Sequence, residues 1–256
     1  METVQEKIER FSEYNKRMID VALSKPNLAY QGLGGKLILC AIFDSLSLVA
    51  IPELAEKNRE RFLQTIALHS SWPDSDRVSL LHLWHAFDCC NSIPQDFLML
   101  HKWVSTKKEK FFPQSRSLLS ASYDLSIDPK MEELITRWPH EAGKPKKLNG
   151  KLNPHQFTHA NLFYRYRNKL AHEFRSPGAG FESPTRPMEF PHYQRIGLMS
   201  PGLSGGLIIS NKWELIYPIQ FFAQLTENAI DSISQQYRES NKSPFVHYKE
   251  GSDWLR

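Results

Sequence analysis

The sequence predicts a mainly α-helical bundle with one small β-hairpin insertion near its carboxy-terminal third. Three observations predict it. Apolar residues recur at helical spacing through most of the first two-thirds of the chain, and prolines fall between the periodic stretches. The texture then changes once, over residues 181–218, where proline and glycine are frequent and short β-like runs appear.

Taken in order, Val4, Ile8, Phe11, Met18 and Val21 mark a first helix over residues 4–23, which Pro26 ends. A loop with Gly32, Gly34 and Gly35 leads to residues 36–50, apolar enough for a central, mostly buried helix. Helices follow over 54–68, 77–90 and 97–105, separated by Pro73 and Pro94, and a shorter one over 131–138. Pro154 lies near the start of a helix over about 155–174, where its missing amide hydrogen costs little. Runs at 194–199, 206–210 and 213–217 read as the hairpin. Residues 219–237 form the last helix, with Phe222, Leu225, Ala229 and Ile233 on one stripe. The whole of 1–256 reads as a single elaborated domain, long enough to bury a full core.

A hydrophobic content of 41% and a charged content of 23% are those of an ordinary soluble protein. The longest apolar run, residues 37–43, is too short to span a bilayer, and the amino terminus lacks the apolar segment of a signal peptide. Cys40, Cys89 and Cys90 sit in helix-like sequence, as buried thiols in a reducing compartment do, so a cytoplasmic location is expected. The net charge of +4 is compatible with nucleic acid. Lys144, Lys146, Lys147 and Lys151 cluster just before the helix at 155–174 and are the candidate RNA contacts; Lys102, Lys107, Lys108 and Lys110 form a second group.

The most specific stretch is Phe163-Tyr-Arg-Tyr-Arg-Asn-Lys-Leu-Ala-His-Glu-Phe-Arg175. Arg167 is followed by the polar Asn168 and, five positions on, by His172. This pattern resembles the Arg-x4–6-His signature of the HEPN superfamily, many of whose members are metal-independent ribonucleases acting as dimers. The resemblance implies a helical bundle with the motif on a late helix and Arg167, His172 and Asn168 as catalytic residues, Asn168 orienting the histidine or bonding a phosphate oxygen. It also implies RNA as substrate, a second copy as partner, a toxin or defence role with an antitoxin or sensor protein as regulator, and neither metal nor cofactor. The chemistry is sound from first principles. Histidine can move a proton at the 2′-hydroxyl or the leaving 5′-oxygen near neutral pH, and arginine offers a charged planar fork to the phosphate.

Helix geometry leaves the choice of arginine open. At about 100° per residue, Arg167 and His172 diverge by about 140°, whereas Arg165 lies within about 20° of His172 and fits the looser spacing. Arg167 carries the more typical form, and two copies paired face to face would bring both motifs into one cleft. Asp44, the lone charge in a strongly apolar helix, is a candidate to position Arg167 or His172. Phe174 stands where one HEPN subgroup has a modifiable tyrosine, so neutralisation by that route does not carry over. Tyr164, Tyr166 and Trp213 are candidates to stack on bases.

Other patterns are weaker. His82, His85 and Cys89 share a helical face at a spacing that suits a metal, but they read as core residues. His155 and His159 read as surface histidines, and Gly32-Leu-Gly-Gly35 lacks the ending of a phosphate loop. The alternative function is a non-catalytic HEPN-like module that binds RNA, a nucleotide or a protein.

Overall fold

The computed structural model describes residues 2–24, 32–113, 122–178, 180, 182, 188–201 and 207–247. Its helices are α1 (Val4–Leu23), α2 (Leu33–Ala50), α3 (Asn58–His69), α4 (Leu80–Asp88), α5 (Leu98–Phe111), α6 (Met131–Ile135), α7 (His159–Glu173) and α8 (Ile219–Ser240). The strands are β1 (Ser122–Asp124), β2 (His140–Glu141), β3 (Lys144–Pro145), β4 (His192–Pro201) and β5 (Leu207–Ile216). The fold is mainly α with a small antiparallel sheet, as its periodicity predicts. Where the sequence reads as one elaborated domain, the chain divides into two compact units.

The first unit, residues 1–72 with 219–256, is a bundle in which α8 packs against α1, α2 and α3. Helix α1 starts at a capping box, with Thr3 and Glu6 each bonding the other's backbone amide. Its buried stripe is Ile8, Phe11, Asn15, Ile19 and Ala22, one step round from the apolar residues of the pattern: Val21 is 53% exposed. Asn15 can be buried because its side-chain amide donates to the Phe11 carbonyl at 2.8 Å. Helix α8 buries the expected Phe222, Leu225, Ala229 and Ile233, together with Ile230 and Tyr237.

Helix α2 is long and apolar enough, by length and composition, to cross a membrane, although no uninterrupted apolar run in it is; half of it is buried within this unit. Two of the three glycines around its start lie inside the helix. A Cβ on Gly35 would meet the Ala22 carbonyl oxygen at 2.4 Å and Ile219 Cδ1 at 2.6 Å. Close approach of α1 and α8, not a phosphate, explains the glycine.

The second unit, residues 73–218, carries the motif helix. Its core joins Leu83 and Phe87 of α4, Leu100 and Val104 of α5, Leu134 of α6, Trp138, Leu148 and Phe157. Beside it stands a sheet of order β1–β4–β5, in which Tyr123 pairs with Tyr193 and Tyr193 with Leu215. Within the predicted insertion β4 and β5 pair along their whole lengths, and β1, from outside it, pairs with the start of β4. The predicted strand break around Asn211 and Lys212 does not occur, because these residues pair with Gly197 and Ile196. The predicted helix at 77–90 begins later, since Arg77 and Val78 make β-bridges to Lys130 and Thr158.

Replacing Gly35 by Ala should cost about 1–3 kcal/mol, typical of overpacking at a tight helix contact. Urea unfolding of the two proteins measures it; an unchanged midpoint would contradict the close approach.

Candidate functional site

Helix α7 opens at Thr158, whose hydroxyl accepts from the Asn161 amide at 3.3 Å, and runs unbroken to Glu173. It closes at Phe174, which takes the left-handed conformation (φ 52°) and returns its amide to the Leu170 carbonyl. The face carrying Leu162, Tyr166 and Leu170 is buried. That single choice of face decides where each motif residue goes.

Arg165 and Lys169 line a cavity of about 390 Å³, together with Tyr166. To the same lining α4 contributes Leu81, His82 and His85, and β5 contributes Lys212, Trp213 and Glu214. Lys212 and Glu214 form an ion pair at 2.7 Å. Gly178, at φ +80°, passes so close to Glu214 that a Cβ there would lie 2.5 Å from its Oε2. Three cations and one carboxylate thus border the cavity, a balance that suits an anion such as phosphate.

His172 is exposed and belongs to the same stripe of α7 as Arg165 and Lys169, one turn beyond the cavity lining. Arg167 and Asn168 lie elsewhere. Both are half-buried, neither lines the cavity, and the Arg167 guanidinium donates to Asn168 Oδ1 at 2.8 Å. Asp44 is half-buried on α2 of the first unit, while Arg167 and His172 belong to the second.

Of the four lysines expected to contact RNA, Lys146 is tied to Asp96, whose carboxylate holds its ammonium above the ordinary lysine range. Lys144, Lys147 and Lys151 are exposed on the β2–β3 hairpin and the turn after it. The candidate stacking rings are largely committed to packing. Trp213 is 5% exposed and stacks on Tyr123, and Tyr166 meets Tyr217 edge-on.

Two readings of histidines change. His159, expected at the surface, is fully buried, because Asp128 offers its ring nitrogen a partner at 2.7 Å. His82 and His85, expected in the core, line the cavity, while Cys89 is exposed and Cys40 buried. Among the described residues no cluster of His, Cys, Asp or Glu is placed to hold a metal ion.

Behind the cavity wall lies a buried polar chain. Asp128 Oδ1 accepts from the Leu80 amide (2.9 Å), and Oδ2 meets His159 Nε2 and the Tyr193 hydroxyl (2.6 Å). The Tyr193 hydroxyl also meets Ser79 Oγ at 2.7 Å, and Ser79 Oγ meets His82 Nδ1 at 2.8 Å. Ser79, Asp128, His159 and Tyr193 are each no more than 1% exposed. Burial pushes the Tyr193 phenol well above its usual range, with the Asp128 charge adding to it. His82 is pushed down to about 3, first by burial and then by the neighbouring His159, His85 and Arg165. Its ring is neutral across physiological pH. Spacing does announce one link, since Ser79 caps α4 three residues before His82; the partnership with Asp128 and Tyr193 has no local signal.

The chain matches no protein-family model, no curated protein and no solved structure. The functional reading rests on the cavity and the motif helix.

Folded His82 resists protonation down to about pH 3, whereas in the unfolded chain it takes a proton near 6.5. Unfolding therefore binds a proton below pH 6.5, so its contribution to stability is complete above that pH and is lost as pH falls toward 3. The slope is at most ~1.4 kcal/mol per pH unit for one such group. Urea midpoints at pH 7 and pH 5 should fall less in His82→Gln than in the wild type; parallel profiles would contradict the shielded imidazole.

Proposed function

We propose that this protein is a metal-independent endoribonuclease that cleaves RNA by attack of the 2′-hydroxyl, with Arg165, Lys169 and His172 as its working face. The observation that carries the reading is the shared stripe of these three residues, two of which border a cation-rich cavity. In the reaction the 2′-oxygen bonds to phosphorus as its hydrogen leaves, and the bond to the 5′-oxygen breaks. The products are a 2′,3′-cyclic phosphate and a 5′-hydroxyl. Arg165 and Lys169 stabilise the charge gathering on the phosphoryl oxygens. His172 moves the proton at the 2′-hydroxyl or the 5′-oxygen.

Under this reading Arg165 takes the role that the commoner motif form gives to Arg167, and Arg167 holds Asn168 within the helix surface. The exposed lysines 144, 147 and 151 would attract the RNA backbone. A second copy would bring two His172 side chains to one duplex or loop, and a cytoplasmic antitoxin or sensor protein would restrain the activity.

One observation favours a second reading. His172 lies outside the cavity lining, which is the arrangement of a module that holds a nucleotide or RNA without cutting it.

Cleavage of total RNA and tRNA in EDTA, with analysis of the new ends, separates the two. Wild-type protein should leave 2′,3′-cyclic phosphates. His172→Ala and Arg165→Ala should each lower the rate by about 10²-fold or more, the scale of a lost proton-transfer or charge-stabilising group. Arg167→Ala should act far less. RNA bound but uncut would favour the binding module, and undiminished cleavage by His172→Ala would sink the mechanism.

A further inference from the structure

The bonds behind the cavity wall admit one placement of hydrogens. Asp128 meets three groups able to donate, the Leu80 amide, His159 Nε2 and the Tyr193 hydroxyl. Tyr193 has one hydroxyl hydrogen. A bare phenol oxygen 2.6 Å from a carboxylate oxygen would be repelled, so that hydrogen goes to Asp128. Tyr193 must then accept from Ser79, its neighbour at 2.7 Å. Ser79 has no second hydrogen to give His82 Nδ1, so the ring donates to Ser79 at 2.8 Å instead. His82 therefore carries its hydrogen on Nδ1. Its Nε2 is left as a lone pair on a residue that lines the cavity.

The rest of the cavity explains what a lone pair is for. Arg165, Lys169 and Lys212 are donors, suited to phosphate oxygens and unable to accept a hydrogen bond, and the Glu214 carboxylate beside them is engaged by Lys212 at 2.7 Å. A ligand that carries both a phosphate and a hydroxyl needs an acceptor as well, and a histidine held neutral supplies one. We propose that the chain Asp128–Tyr193–Ser79 fixes His82 in the Nδ1–H form so that Nε2 accepts the hydroxyl hydrogen of a ribose phosphate bound among Arg165, Lys169 and Lys212. The choice of a ribose phosphate rests on the RNA reading above; the hydrogen placement does not. Asp128, Tyr193 and Ser79 are positioning residues, and His82 is the group that touches the ligand.

The test is nitrogen NMR on the full chain with ¹⁵N-labelled histidine at pH 7, His82→Gln assigning the signals. Wild-type His82 should show a protonated Nδ1 and a bare Nε2. Tyr193→Phe removes the acceptor of the Ser79 hydrogen, which then turns to Nδ1, so the two nitrogen signals should exchange character. A wild-type ring protonated at Nε2, or at both nitrogens, would overturn the placement. The second arm adds each of the four nucleoside 3′-monophosphates and their 2′-deoxy counterparts. A ribonucleotide should move the Nε2 signal as a new hydrogen bond does, and its deoxy form should not. An equal response to both forms, or none to either, would overturn the ribose acceptor. An Nδ1–H ring and a ribose-specific response in a protein that leaves RNA uncut would defeat the nuclease reading alone.

Discussion

The second unit depends on a single buried carboxylate. Asp128 sits in a connecting segment, yet it gathers the first amide of α4, the first residue of α7 and the middle of the sheet. A carboxylate 1% exposed is costly to remove from water, and only a full set of donors offsets that cost. The donors come from Leu80, His159 and Tyr193, so satisfying Asp128 fixes three elements relative to one another. A fourth donor to the same residue, the Arg77 guanidinium on the Asp128 carbonyl at 2.7 Å, ties the chain just before α4 to it as well. The aromatic packing of Tyr193 against Phe112 then carries the constraint to the end of α5.

The cavity inherits its chemistry from this arrangement. Its two histidines are shielded in the same sense: burial lowers both, and Lys212 lowers His85 further. Neither suits the role of a proton donor at neutral pH. The positive charges come from elsewhere, two from α7 and one from β5. Acceptors and cations thus border the same cavity, and a ligand with both kinds of group is the one such a cavity distinguishes.

How much of this was legible in sequence follows from how local each cause is. Helix α1 and the stripe on α8 are written in their own residues, through capping and 3.6-residue periodicity. Strands β1, β2 and β3 are two or three residues long and exist only because a partner lies alongside, so no periodicity could announce them. His159 reads as a surface residue because no acidic residue lies near it in sequence, and its burial depends on an aspartate 31 positions away. Ser79 and His82 fit a helix cap, but only β4 makes that cap part of a longer chain of bonds. Local patterns were readable; every link of the candidate site that crosses between elements was not.

The arginine question shows the same limit within one helix. A spacing window of four to six residues records separation and ignores direction. On an unbroken α-helix, separations of three, four and seven keep side chains on one stripe, whereas a separation of five turns them by about 140°. Helix α7 stays regular through Glu173, so nothing swings Arg167 round toward His172. Burial of Leu162, Tyr166 and Leu170 sets which stripe borders the cavity, and that stripe holds Arg165 and Lys169. Within one chain the geometry therefore sets Arg165, and not Arg167, on the stripe of His172.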